Sequence, residues 1–339
     1  MNNTESIREK ASENIRGIIK DVFEHTDEQN AVVVYDTNSV ISNILYNAYK
    51  EALPNAIFID FNATEAEKIL EILKSLQESD FVALIQSTNF RLDAFRIRVE
   101  LFKQKIKVIE HPHLSRMDES EVPCYIDSLD YDKEYYREVG QALKAKIDTS
   151  SSAIIESQGE YLYYDCAFET AKLNIGDYAP MVNTGGQFPI GEVFTEAKDL
   201  ESLHGRVKIF IFSDTSYQIN KPRTPATLII EKGQVIATEN TTPAFDEVLD
   251  LIREGEGTIW VRELGFGLNR AFSKTRTVSD TGTYERMCGV HLSLGKKHGM
   301  YGKPGFKRGD GKFHVDVFVD TTTVKLDEEI IFKDERWSV

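Results

Sequence analysis

Three of the chain's seven histidines, His291, His298 and His314, fall within one stretch of 24 residues. His314 sits in the run Phe313-His314-Val315-Asp316-Val317-Phe318-Val319, whose β-branched and aromatic character predicts a strand. Side chains along a strand alternate between its two faces. His314 and Asp316 therefore share one face, and Val315 and Val317 take the other. An imidazole nitrogen beside a carboxylate is a common way to hold a divalent metal ion. The same pair also makes an ordinary His–Asp hydrogen bond on a sheet surface, so further donors must decide.

Two glutamates and a second histidine supply them. Glu192 follows a segment punctuated by Gly185, Gly186, Pro189 and Gly191. That punctuation predicts a rigid turn, which holds the next carboxylate in one place; the plain alternative is an exposed turn carboxylate. Glu263 follows a predicted strand, Thr258–Val261, and precedes the glycine-rich bend Leu264-Gly265-Phe266-Gly267-Leu268. A charge between a strand and a bend is well placed for a site, although pairing with Arg262 or Arg270 would also explain it. His291, in Gly289-Val290-His291-Leu292-Ser293-Leu294-Gly295, is uninformative alone. Together, Glu192, Glu263, His291, His314 and Asp316 offer three carboxylates and two imidazoles. Such a set suits two divalent ions bridged by a carboxylate, with a water completing the site. Mixed nitrogen and oxygen donors fit zinc, manganese, cobalt or iron.

The elements that must position these residues differ between the two halves of the chain. The first ~145 residues alternate helix and strand, the mark of a parallel sheet covered by helices on both faces. Helices are predicted at Glu5–Phe23, Val40–Ala52 (with Asn38 or Ser39 as the N-cap), Ala63–Leu76 and Leu92–Phe102. Strands are predicted at Ala31–Tyr35, Ala56–Ile59, Phe81–Ile85 and Ile106–Ile109. No GxGxxG or phosphate loop accompanies them, so dinucleotide binding has no support. A charged helix, Tyr131–Ile147, leads to the linker-like Asp148–Ser152. The expected domains are residues 1–148, a doubly wound α/β domain, and residues 149–339, a β-rich α+β domain carrying the metal ligands. In the second domain, strands are predicted at Ala153–Ser157, Tyr161–Cys166, Val207–Phe212, Leu228–Glu231, Val235–Thr238, Thr258–Val261, Phe313–Val319 and Ile330–Phe332. A tight hairpin turn is expected at Glu231-Lys232-Gly233-Gln234, and an amphipathic helix at Phe245–Glu254.

Composition narrows the function. A formal net charge of -15 argues against nucleic acid, which demands a basic face, and against anionic membrane surfaces. No apolar run reaches the ~20 residues needed to cross a bilayer, and the polar N-terminus has no secretory h-region. Cys124, Cys166 and Cys288 are three cysteines with no pairing pattern, as expected in a reducing compartment. A cytoplasmic enzyme is the expectation. One local exception is the basic stretch Lys296, Lys297, Lys303, Lys307, Arg308 and Lys312, either a solvated loop or a contact for a substrate carboxylate or other anion.

The order GEVFT at Glu192, strand-Glu-Leu-Gly at Glu263, HLSLG at His291 and HVD at His314 and Asp316 resembles the aminopeptidase T and aminopeptidase S family of metallo-aminopeptidases. The resemblance covers Gly185 to Trp337, including Glu285 shortly before HLSLG and the ending Phe332-Lys333-Asp334-Glu335-Arg336-Trp337. It implies that Glu192, Glu263, His291, His314 and Asp316 ligate two divalent ions, with Zn, Co or Mn as the expected metals. It also implies a homodimer that removes N-terminal residues from peptides. Where the family carries a tyrosine seven residues after this histidine, the chain has His298, and Tyr301 stands three residues further on. An imidazole can donate to an oxyanion as a phenol does. Glu192, Glu263, His298 and Tyr301 are therefore the candidate catalytic residues.

The chain is also similar to the ring-cleaving dihydroxypyridine dioxygenases, which use one non-haem Fe(II) held by two histidines and a carboxylate. Leu264-Gly265-Phe266-Gly267-Leu268 and the lysine- and glycine-rich segment from Gly295 to Lys312 resemble the dioxygenase form. Glu263, however, stands where that family has a histidine. The ligand set thus points to a hydrolase acting on a small peptide or related small molecule, and part of its surroundings to an iron oxygenase.

Overall fold

A computed structural model describes the chain apart from residues 1, 2, 93–95, 180, 182, 304, 305 and 307–310. The chain divides into two compact units that are not contiguous in sequence. The first comprises Met1–Arg137, Gly176–Ile190 and Val278–Asp280; the second comprises Glu138–Ile175, Gly191–Thr277 and Thr281–Val339. The division falls within a helix, Lys133–Thr149, and the linker-like Asp148–Ser152 lies in the second unit.

The first unit alternates helix and strand as its sequence predicts. It runs α1 (Asn3–Asp21), β1 (Ala31–Tyr35), α2 (Val40–Ala52), β2 (Ile57–Asp60), α3 (Ala66–Ser75), β3 (Phe81–Ile85), α4 (Ile97–Lys103), β4 (Lys107–His111) and α5 (Val122–Asp127). The helix expected at Leu92–Phe102 is described only from Ile97, since residues 93–95 lie outside the described residues. Ser39 caps α2: its hydroxyl accepts from the Ser42 backbone N–H, and the Ser42 hydroxyl accepts in return. β1 and β3 pair in parallel over their full length. Both are continuous apolar runs, as strands covered on both faces must be. Val32, Val34, Val82, Leu84 and Val108 line a core closed by Ile69 and Leu73 of α3 and Leu101 of α4.

The sheet order is β2-β1-β3-β4, with a fifth parallel strand beyond β4 at Gly185–Gln187. The sequence marks that segment as a turn, because two glycines carry little strand propensity. Here glycine permits the pairing. A Cβ on Gly185, which sits at φ +131, would lie 1.8 Å from the Val108 carbonyl oxygen. Deeper in this unit, the imidazole of His111 lies between the hydroxyls of Tyr49 and Tyr125, each 2.9 Å from one ring nitrogen.

The second unit is a large, predominantly antiparallel sheet. We number its strands on from β4 and the short strand just described, β8: β5 (Ala153–Ser157), β6 (Glu160–Tyr164), β7 (Lys172–Asn174), β9 (Glu192–Glu196), β10 (Leu203–Ser213), β11 (Ile219–Asn220), β12 (Ala226–Glu231) and β13 (Gln234–Glu239). After α7 (Pro243–Glu256) come β14 (Val261–Gly267), α8 (Thr281–Tyr284), β15 (Gly289–Leu294), β16 (Val315–Val319), β17 (Thr323–Leu326), β18 (Glu329–Lys333) and β19 (Arg336–Trp337); Lys133–Thr149 is α6. β12 and β13 form the expected hairpin, with Lys232 and Gly233 both at positive φ in its turn. β10 is the hub, pairing with β6, β12 and β16. The neighbours that matter for chemistry run β16-β15-β14-β9. No described helix is long and apolar enough to cross a membrane.

One expectation is corrected. The strand does not end before Glu263; it runs from Val261 through the glycines to Gly267 and is buried throughout. Leu264-Gly265-Phe266-Gly267 is therefore strand and not bend. The glycines are there because the neighbouring chains press close. A Cβ on Gly267 would lie 1.9 Å from the Met287 carbonyl oxygen, a contact that local propensity cannot reveal.

Candidate metal centre

The register of four adjacent strands puts four of the five sequence-predicted ligand residues on one face; the fifth, His314, lies just before β16, which begins at Val315 and not at Phe313 as expected. Across β15 and β16, His291 faces Phe318 and Ser293 faces Asp316. Across β14 and β15, Gly265 faces His291. Across β14 and β9, Gly267 faces Glu192 and Glu263 faces Glu196. Directly opposed residues share a face, as do residues two apart along a strand. Glu192, Glu263, His291 and Asp316 thus converge. A bulge between Val261 and Leu264 breaks the β14–β15 ladder beside Glu263. The Glu263 backbone N–H donates instead to the Ser293 hydroxyl, at 2.9 Å, so the bulge costs no unpaired donor.

His291 Nε2 stands 3.4 Å from an oxygen of Glu192 and 3.4 Å from an oxygen of Glu263. One ligand atom from each of the three lies within 4.8 Å of the others, and all three residues are buried. On the flank, His314 Nε2 approaches Asp316 Oδ1 to 3.1 Å. The Lys297 carbonyl accepts from His314 Nδ1 at 3.0 Å. A carbonyl can only accept, so Nδ1 carries the hydrogen and Nε2 is the nitrogen left to ligate.

His298, from the loop after β15, brings its Nε2 to 3.4 Å from the second oxygen of Glu263. Its Nδ1 accepts a long contact from the Met300 backbone N–H, at 3.5 Å, which leaves the ring hydrogen on Nε2. Tyr301 packs edge-on against the His298 ring at 5.1 Å between centroids. Its hydroxyl, however, donates to the Thr170 carbonyl at 2.7 Å. The structure therefore brings His298 to the cluster and ties the Tyr301 hydroxyl to backbone.

The electrostatics are those of a cation site. Burial pushes the Glu192 carboxyl up, but Arg286 and His291 hold it below the usual carboxylate range. Burial lowers His291, and the carboxylates of Glu192 and Glu263 more than reverse this, so its pKa is raised. His314 is likewise raised, to about 10, because Asp316 outweighs its burial. Carboxylates that drive protons onto His291, buried, and His314, half-buried, favour positive charge at these points, as a proton or a metal ion. His298 differs: burial, with help from the charges of His314, Arg262 and Lys303, pushes it down to about 3. It is a neutral imidazole presenting an N–H. Glu285 is pushed up to about 8, chiefly by burial, against the pull of Arg286 and with the push of Glu192 and Asp316.

The donor set fits divalent ions on two observations. Glu192, Glu263 and His291 bring one ligand atom each within 4.8 Å of one another, and His314 Nε2 faces Asp316 Oδ1 beside them. Asp316 Oδ1 and His298 Nε2 are buried without an aligned hydrogen bond among the described residues, the condition that a metal or substrate atom would relieve.

Sequence reasoning named Gly265 only as part of a bend and Arg262 only as a possible partner of Glu263, and missed how these residues build this face. Gly265 lies directly under the His291 ring: a Cβ there would come within 2.1 Å of two ring atoms. Ser293 repairs the bulge. Arg286, buried, bridges Glu192 at 2.9 Å and Glu285. Arg262, 2% exposed, binds Glu196 and reaches the carbonyls of Lys296 and Tyr301, fastening the His298 loop to the sheet. The only signal for any of them was a glycine pair in an otherwise apolar run, which marks close approach.

No protein-family profile and no curated protein sequence matches the chain. Solved structures do. The chain is similar to 2,5-dihydroxypyridine dioxygenase from Pseudomonas putida KT2440, with a TM-score of 0.63 at 13% identity, covering 98% of this chain and 97% of that one. It is also similar to wild-type AmpT from Thermus thermophilus, with a TM-score of 0.58 at 13% identity, covering 98% of this chain and 99% of that one. At such identity the likeness is one of fold, and both families named from the sequence share this mixed α/β architecture with the chain.

Proposed function

We propose that the chain is a metal-dependent hydrolase of the aminopeptidase kind, removing N-terminal residues from peptides or cleaving a related small amide. The observation that carries this reading is the Glu192–Glu263–His291 cluster with the His314–Asp316 pair beside it. Three carboxylates among five donors are more than one two-histidine, one-carboxylate ion requires, and suit two ions. In this reading Glu192, Glu263, His291, His314 and Asp316 hold the ions. Bound there, divalent ions such as zinc, cobalt or manganese supply a water acidified toward neutral pH and a polarised carbonyl.

The chain's own residues do the rest. Glu192 or Glu263 takes a proton from the attacking water and returns it to the leaving amine. His298, neutral with its Nε2–H turned to the cluster, donates to the oxygen that gains charge. Tyr301 steadies the His298 ring. The homodimer, the small peptide substrate and the cytoplasmic setting belong to the same proposal and rest on the family resemblance.

A mononuclear Fe(II) ring-cleaving oxygenase is the second reading. Its support is the fold likeness to the dioxygenase and the Leu264-Gly265-Phe266-Gly267-Leu268 stretch.

Metal analysis of anaerobically purified protein separates the two. About two zinc, manganese or cobalt ions per chain, with amino-acid release in the absence of oxygen, is the expected result. About one iron per chain with oxygen consumption on an aromatic substrate would replace it with the second reading. His314→Ala and Asp316→Ala are each expected to remove one equivalent of metal; wild-type content in both would refute the ligand assignment.

A further inference from the structure

The segment from Lys296 to Lys312 carries six basic residues and one acidic residue in a chain of net charge -15. Lys307 and Arg308 lie outside the described residues. The remaining four lysines divide cleanly. Lys296 donates its ammonium to the Glu256 carbonyl at 2.6 Å. Lys303 is buried and donates to Glu169 and to the Ala197 carbonyl. These two are structural. Lys297 and Lys312 instead border a cavity of about 400 Å³ whose wall includes His314 and Asp316.

Their placement is built by the backbone. Glu256, at the end of α7, accepts from the Lys296 backbone N–H at 2.6 Å with one carboxylate oxygen. Its other oxygen accepts from the backbone N–H groups of Lys312 and Phe313, at 2.6 and 2.9 Å. One buried carboxylate thus cinches both legs of the loop. Gly311 permits the crossing, since a Cβ there would lie 2.3 Å from the Lys297 backbone nitrogen. The Lys297 backbone is fixed further by its N–H to Phe313 and by its carbonyl to His314. Lys297 and Lys312 are both exposed, flank this backbone crossing and line the cavity beside the metal-ligand candidates. Asp214, the other carboxylate lining the cavity besides Asp316, is already engaged by the backbone N–H groups of Ser216 and Gln218 and by Asn220.

We infer that Lys297 and Lys312 form a carboxylate-binding subsite, and that the substrates are short peptides or small amides bearing a free carboxylate within reach of the cleaved bond. The inference of a peptide rests on the hydrolase reading; the anion subsite does not. About 400 Å³ is at the small end of small-molecule cavities, with room for one residue and its terminal carboxylate. Tyr217 and Phe313 offer apolar surface to that residue. In an acidic protein, a paired cationic neck also draws anions to this spot over others.

The test is calorimetric titration of the metal-loaded protein with glutarate, at low and high salt, for the wild type and for Lys297→Met/Lys312→Met, which keep the apolar stems. Because both lysines are exposed, each is expected to weaken binding roughly fivefold and the pair tenfold or more, with metal content unchanged. Glutarate binding equal in wild type and double variant, or undetectable in both, overturns the subsite. Binding that survives the double variant but vanishes with the metal also overturns it, by placing the carboxylate on the ions. The peptide assignment has its own readout: the preference for Leu-Gly over Leu-Gly-amide should fall about tenfold in the double variant. An unchanged preference overturns it. A protein that cleaves neither peptide yet binds glutarate through these lysines retains the subsite and loses the hydrolase reading.

Discussion

Gly265→Ala is a single-methyl perturbation aimed at the candidate centre. The added Cβ would stand 2.1 Å from both Cε1 and Nε2 of His291 and 2.7 Å from Nδ1. Ordinary contact begins near 3.4 Å, so the ring must retreat by about 1.3 Å. It has nowhere to go: His291 is 1% exposed, with the Phe318 ring 5.9 Å away between centroids. Overpacking of this kind costs ~1–3 kcal/mol. A ligand must be held within about 0.5 Å of its productive position, so displacing Nε2 this far should weaken metal binding by roughly 10- to 100-fold or more. Competition with a chromophoric chelator measures that affinity, and thermal unfolding with and without metal measures the packing cost. Gly17→Ala is the control: nothing lies within 4 Å of its added Cβ, and a helix interior gains up to about 1 kcal/mol from the change. A Gly265→Ala protein that binds zinc within about twofold of wild type would refute the argument, because it would mean either that His291 is no ligand or that its ring does not rest on Gly265.

Two further outcomes follow from buried charges. Arg286→Met leaves Glu192 and Glu285 without their bridging guanidinium and should destabilise the metal-free protein by ~3–5 kcal/mol; added zinc should restore part of this, so the loss of thermal stability should be larger in chelator than in metal, and equal losses would contradict a shared cation site. His111, held neutral at about 3 by burial, makes the first unit acid-sensitive. The unfolded chain takes up a proton as pH falls through ~6.5 and the folded chain does not until about 3, so stability is full above that window and is lost through it, by on the order of 5 kcal/mol if no other group responds. Urea midpoints at pH 7 and pH 5 should converge in His111→Gln relative to wild type; an unchanged pH dependence would assign acid sensitivity elsewhere.

Of the candidate site, the HVD run set His314 beside Asp316 by local pattern, whereas Glu192 and His291 entered as ligands through the family resemblance. β9 and β15, which carry Glu192 and His291, were not among the predicted strands, and β16 begins at Val315, one residue after His314; the pairing of β9, β14, β15 and β16 is what brings the donor faces together. What supports the donors was not legible. A glycine under an imidazole and a serine filling a bulge acquire their roles from strand neighbours 20 or more residues away, and an arginine between two carboxylates from Glu192, far along the chain; no local pattern encodes a register. The same holds for the fold: α2 and β3 were readable from caps and apolar runs, whereas β8, built on two glycines, exists because β4 offers an edge that only glycine can approach. Lys296 to Lys312 was readable as basic. That two of its lysines would be structural and two free to face a cavity depended on Glu256, whose role follows from tertiary contact alone.

Holding a cation as proposed, the four-strand face would also act as a proofreader. Slipping β15 by one residue would turn His291 and Ser293 to the opposite side and present Val290 and Leu292 to the acidic cluster in their place. A one-residue slip of β9, β14, β15 or β16 would turn its donors away from the cluster. Capture of a cation by this face would then reward one pairing among the many the unfolded chain can sample, and metal supply during synthesis would bear on how much of the protein reaches its native alignment.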